Sequence, residues 1–153
     1  MERRITEEKV TKLILDWLES NDWKIICYDF PQSGTGISLH LNEELRETKN
    51  KGAVIPDIVA IKEEKVLFFE NKDRFVLSDF DKLNSLKTNN NYSESIEKLL
   101  TNYDFSAIYY GIGIPKIENQ ITKVKNEVEK VDFVIFVNSD KEIEIYYEKS
   151  NLF

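Results

Sequence analysis

The residues best suited to chemistry lie in the stretch IPDIVAIKEEKVLFFENKDR, residues 55–74. Asp57 follows Pro56 at the head of one apolar run, and Glu70 and Lys72 stand two apart inside the next. Side chains two apart on a strand share a face. Glu70 and Lys72 therefore project together, while Asn71 faces the other way. The connection KEEK is short and polar, and a hairpin of this kind brings Asp57 beside Glu70. Charges are rarely buried without a partner or a metal, so the pattern is either the solvated tip of a sheet edge or a reaction site. Two adjacent carboxylates repel unless one is protonated or a cation sits between them. A hard divalent ion such as Mg²⁺ suits that arrangement, because it takes one or two carboxylates, a carbonyl and several waters. The main-chain carbonyl of Asn71 is available as the additional ligand. With an ion present, Lys72 can orient a water or steady charge developing on a phosphate, while the ion acidifies the water and polarises the phosphoryl group.

These residues need elements to hold them. Residues 5–20, ITEEKVTKLILDWLES, place Val10, Leu13, Ile14, Trp17 and Leu18 on one face of a helix. Thr6, Glu7 and Glu8 suit its N-terminus, where carboxylates meet the positive end of the helix dipole. WKIICYDF, residues 23–30, reads as a strand. From 31 to 53 the pattern dissolves into a long irregular loop with a short strand at 37–41; a loop of that length in a compact domain points to function or mobility. Strands follow at 54–61 and 65–72. A helix over 78–88 has Ser78 or Asp79 as N-cap and Phe80, Leu83 and Leu86 on one face. TNNNYSES interrupts it, and helical periodicity resumes to about residue 100. A buried strand at 105–114, a helix at 117–130 and a hairpin of strands 132–138 and 142–148 complete the order. The expectation is one α/β domain over residues 1–153, a mixed sheet flanked by helices, with a C-terminal helix and β-hairpin.

Composition narrows the function classes. A chain of 153 residues, 41% hydrophobic and 32% charged, is that of a globular protein rather than a disordered one. No apolar run approaches the roughly 18–20 residues of a membrane span. The N-terminal MERRITEEKV lacks the apolar core of a secretory signal, and one cysteine, Cys27, allows no intramolecular disulfide. A cytoplasmic location is expected. The net charge of −7 argues against holding nucleic acid by global electrostatics, since neutralising phosphates takes Lys and Arg. Any nucleic-acid surface must be local or supplied by a partner.

The pattern Pro56-Asp57, a gap, then Glu70-Asn71-Lys72 resembles the PD-(D/E)XK nuclease superfamily, which includes type II restriction endonucleases and archaeal Holliday-junction resolvases. The resemblance implies a restriction-endonuclease-like αβββαβ core, matched by residues 5–20, 23–30, 54–61, 65–72, 78–100 and 105–112. It implies Asp57 and Glu70 as ligands of Mg²⁺, for which Mn²⁺ can substitute, and Lys72 as the catalytic lysine. It further implies a glutamate from the first helix at the metal site. Glu7, at the flank of the buried face, is the better placed, since Glu8 points nearly the opposite way. The motif's middle residue is commonly apolar, whereas here it is Asn71, which implies either a polar network or a strand end near the surface. The implied activity is Mg²⁺-dependent endodeoxyribonuclease cleavage of duplex DNA, by a type II restriction endonuclease or its cleavage subunit. It would work as a homodimer or beside a larger DNA-recognition subunit. A Holliday-junction resolvase-like or repair nuclease, or an inactive nuclease-fold interaction module, is the alternative.

Other residues carry less. His40 is the only histidine and reads as a loop residue, and Cys27 reads as core. SGTG is not a phosphate loop, because no Gly-Lys-Ser/Thr and no helix follow. For DNA contact the candidates are Arg74, Lys82 and Lys87 after the motif, and Arg46, Lys49 and Lys51 in the long loop.

Overall fold

The computed structural model describes residues 4–30, 39–40, 42 and 53–153. Helix α1 (Glu7–Ser20) leads into β1 (Lys24–Tyr28), and β2 (Ile58–Lys62) and β3 (Lys65–Asn71) form the expected hairpin. Helices α2 (Leu77–Thr88) and α3 (Ser93–Leu99) carry the chain to β4 (Ala107–Pro115). A short crossover containing α4 (Ile121–Lys125) reaches β5 (Phe133–Val137), which pairs with β6 (Ile143–Glu148). The six strands form one mixed, open sheet in the order β1-β2-β3-β4-β5-β6. The β3–β4 and β4–β5 pairs are parallel and the rest antiparallel. Among the described residues no helix is long and apolar enough to cross a membrane.

Strand β3 is the centre of the molecule, and its alternation builds both cores. Val66 and Phe68 join Phe80, Leu83 and Leu86 of α2 on one face. Leu67 and Phe69 join Val10, Ile14 and Leu18 of α1, with Leu152 from the C-terminus, on the other. Both faces of the sheet are therefore covered, which explains why β3 reads as a continuous apolar run. Glu70 and Asn71 continue this alternation, Glu70 toward α2 and Asn71 toward α1. Both are buried, so Glu70 is not a solvated strand tip.

Glycine lets the layers close over β4. A Cβ at Gly113 would run into the Asn71 Oδ1 and Ile14 Cδ1 atoms, and one at Gly111 into the Phe133 ring. GIGIP is thus the place where α1 presses on the sheet and the Phe133 ring of β5 lies across β4.

Several local expectations shift. Ladder pairing of β2 begins at Ile58 rather than residue 54, because Pro56 has no N–H to donate. Val54 instead makes an isolated bridge with Leu39; of the strand expected at 37–41, residues 37, 38 and 41 lie outside the described residues. Thr6 caps α1 as expected, its hydroxyl accepting the Lys9 N–H at 3.1 Å. The buried face of that helix is rotated, however: Thr11 and Leu15 are buried while Leu13 and Trp17 are half-buried. Helix α2 starts at Leu77 with Val76 as N-cap and no side-chain cap, so neither Ser78 nor Asp79 caps it. The helix expected over 117–130 is only α4 between two 3-10 turns, Glu118–Gln120 and Val128–Lys130. β-Branched Ile121, Thr122, Val124 and Val128 favour helix weakly, and packing of Val124 on the sheet decides the path.

Candidate active site

Four elements meet where β3 and β4 end: the entry to β2, the last residues of β3, and the first turns of α1 and α2. Asp57 is pinned by its backbone on both sides. Its N–H donates to the Phe69 carbonyl at 3.0 Å, and its carbonyl accepts the Asp29 N–H at 2.9 Å. Its side chain is held as well, because Oδ2 accepts the main-chain N–H of Asn71 at 2.7 Å. The β2–β3 register pairs Ile58 with Phe69, so the preceding Asp57 falls across from Glu70. Just past β3, Lys72 donates its N–H to the Gly113 carbonyl at 3.0 Å, which fixes the strand end against β4.

Each lysine of the site holds a carboxylate. Lys72 Nζ lies 3.3 Å from Glu7 Oε1 on α1, and Lys82 Nζ lies 3.1 Å from Glu70 Oε2. A fourth carboxylate, Asp79 in the first turn of α2, is 7% exposed, and its Oδ2 accepts no hydrogen bond. Four carboxylates thus share two ammonium groups. Burial, the repulsion of Glu70 and that of Glu7 push the Asp57 carboxyl up to about 8, against the pull of the Asn71 N–H and Lys72. Glu70 is raised by burial and Asp79, with Lys82 opposing. Asp79 is raised by burial, with Lys72 and Lys82 opposing. Burial works against the charge on Lys72, but Glu7, Asp79 and Glu70 outweigh it and hold its pKa above the ordinary lysine value. In the cation-free protein Lys72 is thus held as an ammonium, which can donate hydrogen bonds to a water or a phosphate oxygen.

An open cleft of about 380 Å³ lies beside the cluster, lined by Glu7, Lys72, Arg74 and Asp79 but not by Asp57 or Glu70. A larger cavity of about 420 Å³, near Tyr92 and Phe105 at the far end of α2, contains none of these carboxylates. Among the described residues no three His, Cys, Asp or Glu side chains form a ready metal cage. A Mg²⁺ ion needs only one or two of them and completes its shell with carbonyl and water oxygens. The donor set suits such an ion. It is all oxygen, Asp57 and Glu70 are strained toward protonation by burial, and Asp79 keeps a bare oxygen. Positive charge relieves each of these.

The sequence candidates are distributed unevenly. Asp57, Glu70, Lys72 and Glu7 come together, and Asn71 ends β3 among them. Its side chain faces α1, where Nδ2 donates to Thr11 Oγ1 at 3.1 Å and Oδ1 is left without a partner. Asn71 is fully buried, so of the two expectations for it the polar contact holds and the surface-near strand end does not. Lys82, expected at DNA, belongs to the cluster as the partner of Glu70. Lys87 is committed elsewhere, its Nζ 2.9 Å from Oδ1 of the buried Asp132, whose Oδ2 accepts the Tyr110 N–H. Arg74 is exposed and pairs with its neighbour Asp73. Arg46, Lys49 and Lys51 lie outside the described residues.

His40 is remote: its backbone docks on α3, the N–H donating to Ser95 Oγ at 2.9 Å. Cys27 is buried, and burial pushes its thiol up to about 11, which leaves no thiolate for catalysis. Sequence reasoning missed Asp79, whose signal was its spacing three before Lys82 on one helix face. It also missed Asn42, which reaches across the chain to accept the Glu94 N–H at 3.0 Å and so caps α3. Compared with protein-family models, with curated proteins and with solved structures, the chain matches none.

Proposed function

We propose that this protein is a Mg²⁺-dependent endodeoxyribonuclease of the PD-(D/E)XK kind, a type II restriction endonuclease or the cleavage subunit of one. The observation that carries the reading is the meeting of Asp57, Glu70 and Lys72 at one buried sheet end. There the Asp57 carboxyl is pushed up to about 8 and Lys72 stays charged. The reading takes α1, β1 to β3, α2 with α3, and β4 as an αβββαβ core within one nuclease-like domain.

Asp57 and Glu70 would hold the ion together with the Asn71 carbonyl, and Glu7 acts through Lys72. Bound there, Mg²⁺ supplies an acidified water and neutralises charge on the phosphate. The chain's own part is positioning. The Asn71 N–H fixes Asp57, and the Gly113 carbonyl fixes the backbone of Lys72. The Lys72 ammonium then presents donors to the attacking water and to the phosphate oxygens. One such site cuts one strand, so cleavage of both strands takes a homodimer or a second subunit. The net charge of −7 favours a larger DNA-reading partner.

The test is incubation of duplex DNA with Mg²⁺ or Mn²⁺, with the protein alone and with a co-encoded larger protein. Wild type is compared with Asp57→Ala and Lys72→Ala. Cleavage by wild type and by neither variant supports the reading. A wild type that never cuts leaves a nuclease-fold interaction module in its place, and two variants that cut as well as wild type overturn the catalytic assignment of Asp57 and Lys72.

A further inference from the structure

Lys82 and Asp79 lie three residues apart on α2, a spacing that puts side chains side by side on a helix. Lys82 spends its charge on Glu70, 3.1 Å away across the layer boundary, while its own helix neighbour keeps a buried oxygen bare. An unpartnered buried carboxylate oxygen is costly and calls for an explanation. The lysine stem is flexible and its ammonium is a compact point charge, and at i, i+3 Asp79 already feels that charge. Burial raises both carboxyls, and Lys82 is among the cations that oppose the rise in each.

We propose that Lys82 exchanges between two carboxylates: it neutralises Glu70 in the cation-free protein and passes to Asp79 when a divalent cation takes Glu70. The inference rests on the metal-dependent reading of the site and adds a device to it. No covalent bond changes; one ion pair is replaced by another. The displaced ammonium is never left unpaired, and Asp79 gains the partner it lacks. Lys82 thereby acts as a competitor that sets cation affinity, and Asp79 as the berth that keeps displacement from being prohibitive. Both are positioning residues rather than catalytic ones.

The test is calorimetric titration with Mn²⁺ alone, on wild type, Lys82→Met, Asp79→Asn and the double variant, with circular dichroism to establish folding. Lys82→Gln stands in if the methionine variant aggregates. Lys82→Met is expected to bind about tenfold more tightly and Asp79→Asn about tenfold more weakly, the low end of the effect of residues surrounding a metal's ligands. The double variant decides: Asp79 also repels Glu70 directly, so the exchange predicts non-additivity, with Asp79→Asn weakening binding clearly less in the Lys82→Met background than in wild type. Additive effects, or an affinity unchanged or lowered by Lys82→Met, overturn the exchange while the metal-site reading stands. No Mn²⁺ binding by any of the four proteins overturns both.

Discussion

The main-chain N–H of Asn71 donates to Asp57 Oδ2 across 2.7 Å, so the last residue of β3 grips the carboxylate at the entry to β2. The motif's two acidic halves, on the two strands of one hairpin, are thus tied by a backbone donor rather than by a second flexible side chain. Asp57→Asn keeps the shape and loses the charge. It is expected to abolish DNA cleavage while leaving the cation-free fold at least as stable as wild type at pH 8, because a buried carboxylate charge is removed. Cleavage assays and thermal melts of the same preparations check both halves.

The same burial gives the cation-free protein a distinctive pH dependence. Asp57 rises from 3.8 to about 8 on folding, so between those values the folded state keeps a proton that the unfolded chain has released. Stability from this group is fully present below about pH 4 and is lost as pH climbs toward 8. Glu70 and Asp79 shift in the same direction. Melting temperatures measured in chelator should fall across that window, and Asp57→Asn should flatten the fall.

Asn71 presents an unusual buried pair. Its Nδ2 donates to Thr11 Oγ1 and its Oδ1 has no partner. Thr11→Val strands the donor and is expected to cost about 1–3 kcal/mol. Adding Asn71→Leu removes the stranded groups and should recover most of that loss, since replacing both members of a buried polar pair is nearly neutral. Urea denaturation of the two variants measures the difference.

Lys87 separates structure from DNA contact. Paired with buried Asp132, it is expected to cost on the order of 2 kcal/mol when changed to Met, below the cost of breaking a fully buried pair because its own side chain is 22% exposed. Cleavage by the folded fraction should be retained. A cleavage defect with unchanged stability would return Lys87 to the DNA-contacting set.

Gly113 sets the distance between α1 and the sheet. A Cβ there meets Asn71 Oδ1 and Ile14 Cδ1, so Gly113→Ala is expected to destabilise by about 1–3 kcal/mol as overpacking. It should also weaken the Glu7–Lys72 pair by moving the start of α1. Denaturation, together with the amide chemical shifts of Glu7 and Lys72, checks the two effects.

Much of this molecule was legible in one dimension. Short apolar runs bounded by polar residues gave β2 and β3, the i, i+4, i+8 spacing of Val10, Ile14 and Leu18 gave α1, and a polar pair between strands gave the hairpin that brings Asp57 to Glu70. These are local signals, fixed by backbone geometry over a few residues. The partners of the charges were not local. Nothing in the chain order says that Lys82 faces Glu70 or that Lys87 goes to Asp132. Equally silent in the sequence are the bare oxygen of Asp79 and the reach of Asn42 to α3. Those depend on how α2 is rotated against the sheet, which the packing of Phe80 and Leu83 on Phe68 decides. The sequence determined which residues bear charge near the end of β3. Only the folded layers decided which ammonium meets which carboxylate, because Coulomb and hydrogen-bond partners are chosen by distances across the sheet rather than by separation along the chain.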